Sequence, residues 1–360
     1  METGKRIEYI DALRGFARIL VLYFHIPSYC LGNAYIAGND ILEWVRMPLF
    51  FFISGFLFFK ADRIWNSDTI RKVLKNKFRV HIIPMAVFMT LFLILFDYME
   101  PASFGSDKKG YWYTFVLFEY FIFYIGTEAL LNRNRTTSGE IRVMITVILI
   151  SLISFYYAKY YIRYTEELGS WKTILGLLSF VKVRHFFFFW FGTIVRKHFS
   201  KFISITNNYS ILIILAIIFL SLLFFPPLYH ISGIEYIVYI ISGIVNIILT
   251  FTLFRKLEKV FSHGNWLGKS LQFIGRRTLD IYLIHYFLLP YYLQDFGAWL
   301  IQQDIIPLEV IFILFLSLCI ICISLITSRI IRISPFLAYH LLGAEAKNYQ
   351  TKFGLFNNYL

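Results

Sequence analysis

Residues 311–326 read IFILFLSLCIICISLI, a run without a single charge. In the hydrocarbon core no water is present to satisfy the backbone. An apolar stretch of about 20 residues therefore crosses it as a helix, with its hydrogen bonds closed internally. Runs of this kind are read at 10–31, 46–60, 80–98, 112–131, 142–162, 176–195, 210–226, 235–254, 272–294 and 306–328. The expected fold is all-α: a polytopic membrane bundle of about ten transmembrane helices over residues 1–340, followed by a short cytoplasmic tail, 341–360. The chain is 58% apolar and 16% charged, against about 45–50% and 25% in soluble domains. The opening METGKRIEYIDALRG shows no cleavable signal pattern, so the first helix is expected to insert and stay.

A net charge of +13 would by itself suggest a nucleic-acid partner. Its placement argues otherwise. With the N-terminus inside, 25 Lys and Arg fall on inner segments and eight on outer ones, while Arg14 and Arg18 lie within the first span. This bias predicts cytoplasmic N- and C-termini. The basic charge thus reads as membrane topology, with the lipid bilayer of the cell (inner, cytoplasmic) membrane as partner and no nucleic acid. Three cysteines cannot build a disulfide framework, and Cys319 and Cys322 sit three apart inside an apolar run, where packing is the expected role. His81, His198, His230 and His263 show no metal-ligand spacing, so no metal is expected.

Ionisable side chains at the centre of a membrane helix cost about 3 kcal/mol each, which makes them functional candidates. The first span holds four polar ones: Asp11, Arg14, Arg18 and His25. At about 100° per residue, the step from Arg14 to His25 ends roughly 20° beyond three whole turns, and it rises about 16 Å. The two residues therefore share a face. Asp11 joins it three residues before Arg14, where the pair can interact, and Arg18 continues the stripe. The expectation is one cavity with a cation at its inner edge and an imidazole deep in the bilayer. An ion pair and a hydrogen-bonded core histidine that serve only helix packing would satisfy the same spacing.

The stretch RIEYIDALRGFARILVLYFHI resembles the opening of the acyltransferase-3 family of membrane O-acyltransferases, which carry a basic residue, ten residues and a His in the first helix. Further segments resemble that family in order: MPLFFFISGFLFFK (47–60), KNKFRVHIIP (75–84), WYTFVLFEYF (112–121), RHFFFFWFGTIVRK (184–197) and IGRRTLDIYLIH (274–285). The second of these segments, with Lys77 and Arg79, has a sparser basic pattern than the family's usual Arg pair. MPLFFFISGF leans in its resemblance towards the fucose 4-O-acetylase-like branch.

The resemblance implies an acyl-CoA-dependent O-acyltransferase with no permanently bound cofactor. It would move an acyl group, acetyl first among them, from acyl-CoA to a carbohydrate hydroxyl of a surface glycan or its lipid-linked precursor. The residues suit that chemistry. A hydroxyl attacking a thioester needs a base, and histidine is the usual one. Phosphates need cations. His25 is therefore the expected general base, with Glu119, in the fourth span, as its orienting group or substitute. Arg14, Arg18, Arg79 and Lys77 are the expected donor-binding cations. Arg184 (with Lys182 beside it), Asp11, Asp280 and His285 are expected near the acceptor or behind the reacting groups. Ser54 reads as a packing residue beside Gly55. A transporter or flippase of a glycan intermediate would use buried charges in a similar way, but neither an inverted repeat nor paired broken helices are visible in the sequence.

Overall fold

The computed structural model describes residues 7–32, 39–96, 104–132, 136–161, 169–224 and 234–344. Its regular structure is helical, and the described residues contain no strand. Most of the expected tail (345–360) lies outside them, as do Lys5, Arg6, Arg133, Arg135, Arg163 and His230. Among the described residues, five helical runs are long and apolar enough to cross a membrane: Ser67–Leu95, Trp112–Leu131, Thr137–Tyr160, Glu235–Lys256 and Ile306–Ile331. A sixth, Phe199–Asn207 with Tyr209–Leu222, bends by 80°. At the break Asn208 turns its side-chain oxygen to the backbone N–H of Ser210, 2.9 Å away, and so starts the second helix. Helix α1 (Glu8–Tyr29) is as long as these, but carries Asp11, Arg14, Arg18 and His25 within it.

Three expected spans depart from a plain helix. The run at 80–98 begins earlier, as α3 (Ser67–Lys77), a π turn at Phe78–Ile82 and α4 (Ile83–Leu95). Pro84 cannot donate to the carbonyl of Val80, and the wider turn accommodates that loss. The span at 272–294 is divided into α12 (Trp266–Arg276), α13 (Thr278–Ile284) and a 3-10 turn at His285–Leu288. Arg277 leaves helical geometry there, and Asp280 on α13 is held by Arg332 from beyond α15 (Ile306–Ile331) through two contacts of 2.9 Å. The span at 176–195 is likewise interrupted between α7 (Gly169–Leu177) and α8 (Phe186–Lys197). Ser179 adopts a left-handed φ of 49°, and its hydroxyl donates to the Ser106 carbonyl and accepts from Lys108 Nζ. Polar partners from the 104–110 loop thus compete with the helical ladder.

Glycines set the two closest crossings. A Cβ on Gly15 would lie 2.0 Å from the Leu271 carbonyl oxygen, and one on Gly275 would lie 1.9 Å from that of Asp11. The backbones of α1 and α12 therefore touch. The same reciprocity joins α2 (Asn39–Phe58) to α8, with Gly55 on Phe189 and Gly192 on Phe52. Without a hydrophobic drive between helices in lipid, such small-residue contacts supply much of the association. Side chains from the first half of α1 pack into an aromatic cluster with α2, α5 (Trp112–Leu131), α8 and α11 (Glu235–Lys256). Those from its second half pack into another cluster with α4, α13 and α15. The polar stripe of α1 runs along the seam between the two clusters.

Candidate active site

The stripe read from helical periodicity keeps its residues together. Arg14 Nη1 lies 3.7 Å from Asp11 Oδ1, and its Nη2 donates to the Thr278 hydroxyl at 3.1 Å. One turn on, Arg18 is 1% exposed. Its Nη2 lies 3.0 Å from Nδ1 of His285, and its guanidinium carbon 5.4 Å from the centre of the Tyr282 ring. Two turns beyond, the His25 ring stacks on Tyr29 at 5.3 Å and 12°. It meets His285 edge-on at 5.3 Å and Tyr286 at 5.5 Å. His25 Nδ1 and His285 Nε2 are both buried without a hydrogen-bond partner among the described residues.

The single cavity expected along this face is instead two that adjoin. An inner one of about 180 Å³ is lined by Arg14, Arg18, Ser54, Lys77, His81 and Tyr113, among others. An outer one of about 240 Å³ includes Arg18, His25, Tyr29, Arg46, Lys182 and Tyr286. Arg18, Phe50, Tyr113 and Tyr282 belong to both and form the partition. Hydrogen bonds hold that partition. The Ser54 hydroxyl donates to the Phe50 carbonyl and lies 2.9 Å from the Tyr113 hydroxyl, while the Tyr113 N–H donates to the Tyr282 oxygen at 3.1 Å. The 104–110 loop covers the outer side, where its Gly110 carbonyl accepts from Tyr282 and Tyr286. A third cavity, of about 440 Å³, shares Arg46, Met47, Trp112 and Lys182 with the outer one and adds Trp44, Arg184 and Tyr239.

The remaining residues singled out in the sequence are dispersed. Lys77 lines the inner cavity, with its ammonium 4.6 Å from the Phe121 ring centre. Arg79, two residues on, turns to the segment after α15: it donates to the carbonyls of Tyr339 (3.3 Å) and Ala344 (3.1 Å) and covers the Tyr339 ring. Glu119 is buried on α5 but lines none of these cavities, and its Oε2 has no hydrogen-bond partner among the described residues. Asp280 contacts Arg332, Ser328 and Arg277, an anchor for the short α13 that carries Tyr282 and leads directly into His285. Arg184 lies in the third cavity, away from His25.

Nothing in the sequence singles out Tyr113, Tyr282 or Arg46, His81 shows there only a lack of metal-ligand spacing, and Ser54 reads only as a packing residue. Hydroxyls in a chain this rich in Tyr carry no signal of their own. The contact between Tyr113 and Tyr282 spans 169 residues and exists only once α5 and α13 face each other.

The sequence model of a family described as an acyltransferase domain matches residues 7–329, from the start of α1 to near the end of α15. No curated protein matches the chain, and no solved structure does.

Proposed function

The chain belongs to the acyltransferase-3 family and is a membrane acyltransferase, and from that premise we propose that acyl-CoA, acetyl-CoA first, is its donor and a carbohydrate hydroxyl its acceptor. The acceptor is a surface glycan or its lipid-linked precursor, modified at the cell membrane. One observation carries this reading: Arg14 and Lys77 line one part of a partitioned passage, and His25, whose buried Nδ1 has no hydrogen-bond partner among the described residues, stands in the other. Arg14 and Lys77 take the donor's phosphates, which favour charge-assisted contacts. The pantetheine arm is about as long as the 16 Å rise from Arg14 to His25, so it carries the thioester past Phe50, Tyr113 and Tyr282 into the outer cavity.

The acceptor oxygen attacks the thioester carbonyl carbon while His25 takes its proton. Arg18 stabilises the oxyanion, as an oriented donor does best in a site closed to water. Collapse of the intermediate breaks the C–S bond, and the imidazolium returns the proton to the departing CoA sulfur. Glu119 has no contact with His25 in this scheme, and its expected orienting role passes to His285, whose ring adjoins His25.

The test is transfer of radiolabelled acetyl from acetyl-CoA to glycan by the purified protein, in the wild type and in His25→Gln. The substitution keeps volume and hydrogen bonding but not basicity. A loss of about 10²–10⁴-fold in turnover with CoA binding intact is expected. Near-normal turnover would reduce His25 to a packing residue.

A further inference from the structure

The cavity beyond the outer chamber combines two features that the transfer chemistry does not use. It has aromatic walls: Trp44 and Tyr239 meet at 6.3 Å, and Trp112 lies parallel to His185 at 6.4 Å and 21°. It also carries cations. Arg46, Lys159, Lys182 and Arg184 line it, against one carboxylate among its lining residues, Glu235, which is already ion-paired with Lys159. Lys182 pairs with Asp107 at the neighbouring rim and lies 4.9 Å from the Trp112 ring centre. Unlike Lys159 and Lys182, Arg184 forms no ion pair among the described residues, and its Nε is buried without a hydrogen-bond partner there.

A guanidinium donates a planar fork that fits the two oxygens of a carboxylate or a phosphate. Aromatic faces suit the apolar C–H faces of a pyranose while leaving its hydroxyls to polar neighbours. At about 440 Å³ the space falls within the roughly 300–1,000 Å³ of ordinary ligand sites. Because it shares Arg46, Met47, Trp112 and Lys182 with the His25 chamber, a sugar lying in it can extend a hydroxyl towards that chamber.

We propose that this cavity selects an acceptor bearing an anionic group beside its sugar, held by the Arg184 guanidinium between Trp44, Trp112 and Tyr239. The inference rests on the acyl-transfer reading and makes it more specific: a neutral glycan is a poor acceptor. The anion can be a uronic-acid carboxylate in a finished polymer or the diphosphate of a lipid-linked sugar, and both suit the same fork.

Binding without any donor tests this separately from catalysis, since Trp44 and Trp112 provide a fluorescence signal. The full-length protein in lipid nanodiscs would be titrated with a glucuronate-terminated disaccharide and with its carboxyl-reduced neutral counterpart. A second pair would be farnesyl-diphosphate N-acetylglucosamine and the neutral farnesyl glycoside. One charged probe is expected to bind about 10- to 150-fold more tightly than its neutral partner, and which pair shows the gap identifies the source of the anion. Added salt should narrow the gap in the wild type. Arg184→Gln should abolish it and Arg184→Lys should keep part of it. Equal binding of charged and neutral probes, or a gap unchanged in Arg184→Gln, would overturn the assignment, as would failure of every probe to bind. Loss of acetyl-CoA-dependent transfer beside an intact charge preference would instead overturn the transferase reading.

Discussion

The Arg18 guanidinium lies 3.0 Å from Nδ1 of His285, a residue 267 positions further along the chain, and both side chains are buried. The same Nδ1 is 2.8 Å from the Tyr282 carbonyl and 3.0 Å from that of Ile281. It faces one donor and two acceptors, and a neutral imidazole serves only one side at a time. Arginine is always a donor. With Arg18 engaged, Nδ1 accepts and the proton sits on Nε2, whose partner in the described residues is missing. The tautomer of His285, whose ring adjoins His25, is thereby tied to Arg18.

His285 is accordingly expected to act as a positioning residue. His285→Gln should lower turnover by about 10²-fold, the scale of a small misplacement at a reacting centre, with acyl-CoA affinity retained. The pH–rate profile separates this from simple packing: its acid limb should move in His285→Gln, because the environment of His25 has changed. An unchanged profile with only weaker folding would make His285 structural.

Donor affinity should depend on Arg14. Its side chain lines the inner cavity and is 29% exposed. Arg14→Ala is expected to weaken binding of acyl-CoA by about 10- to 150-fold, the loss of one charge-assisted contact. Arg14→Lys should recover part of it, because an ammonium lacks the guanidinium fork. Equilibrium binding of a non-hydrolysable thioether analogue of acetyl-CoA reads this directly, and wild-type affinity in Arg14→Ala would remove Arg14 from the phosphate site.

The α1–α12 crossing gives a stability test. Gly275→Ala drives a methyl against the Asp11 carbonyl, 1.9 Å away, and should cost at least about 1–3 kcal/mol. A lower unfolding temperature in detergent is the readout. Gly126→Ala is the control: nothing lies within 4 Å of the added carbon, so a neutral result or a gain of up to about 1 kcal/mol is expected from helix propensity. Equal effects at the two sites would show that the crossing tolerates separation.

Orientation follows from the basic segments. Reporter fusions after residues 135, 200 and 270 are expected to read cytoplasmic, and those after 105 and 230 external. A cytoplasmic signal at 105 or 230 would overturn the assignment of sides.

What the sequence by itself determined is local and periodic. Hydropathy marked the long helices because an unpaired backbone is untenable in lipid. The 3.6-residue repeat put Asp11, Arg14, Arg18 and His25 on one stripe because a helix has few ways to arrange them. The ordered motifs announced the family, which the match over residues 7–329 bears out. Tertiary structure decided the rest. Hydropathy averages over a window, so the breaks at Ser179 and Arg277 pass unseen; they arise from Ser106, Lys108 and Arg332, which are distant in sequence. The division into two cavities depends on Tyr113 meeting Ser54 and Tyr282. Arg79 and Lys77 look equivalent as letters, yet the π turn from Phe78 to Ile82 leaves Lys77 at the cavity while Arg79 reaches the carbonyls of Tyr339 and Ala344. The breaks, the partition and the partners of Arg79 are decided by contacts between residues far apart in the chain, which no local spacing encodes.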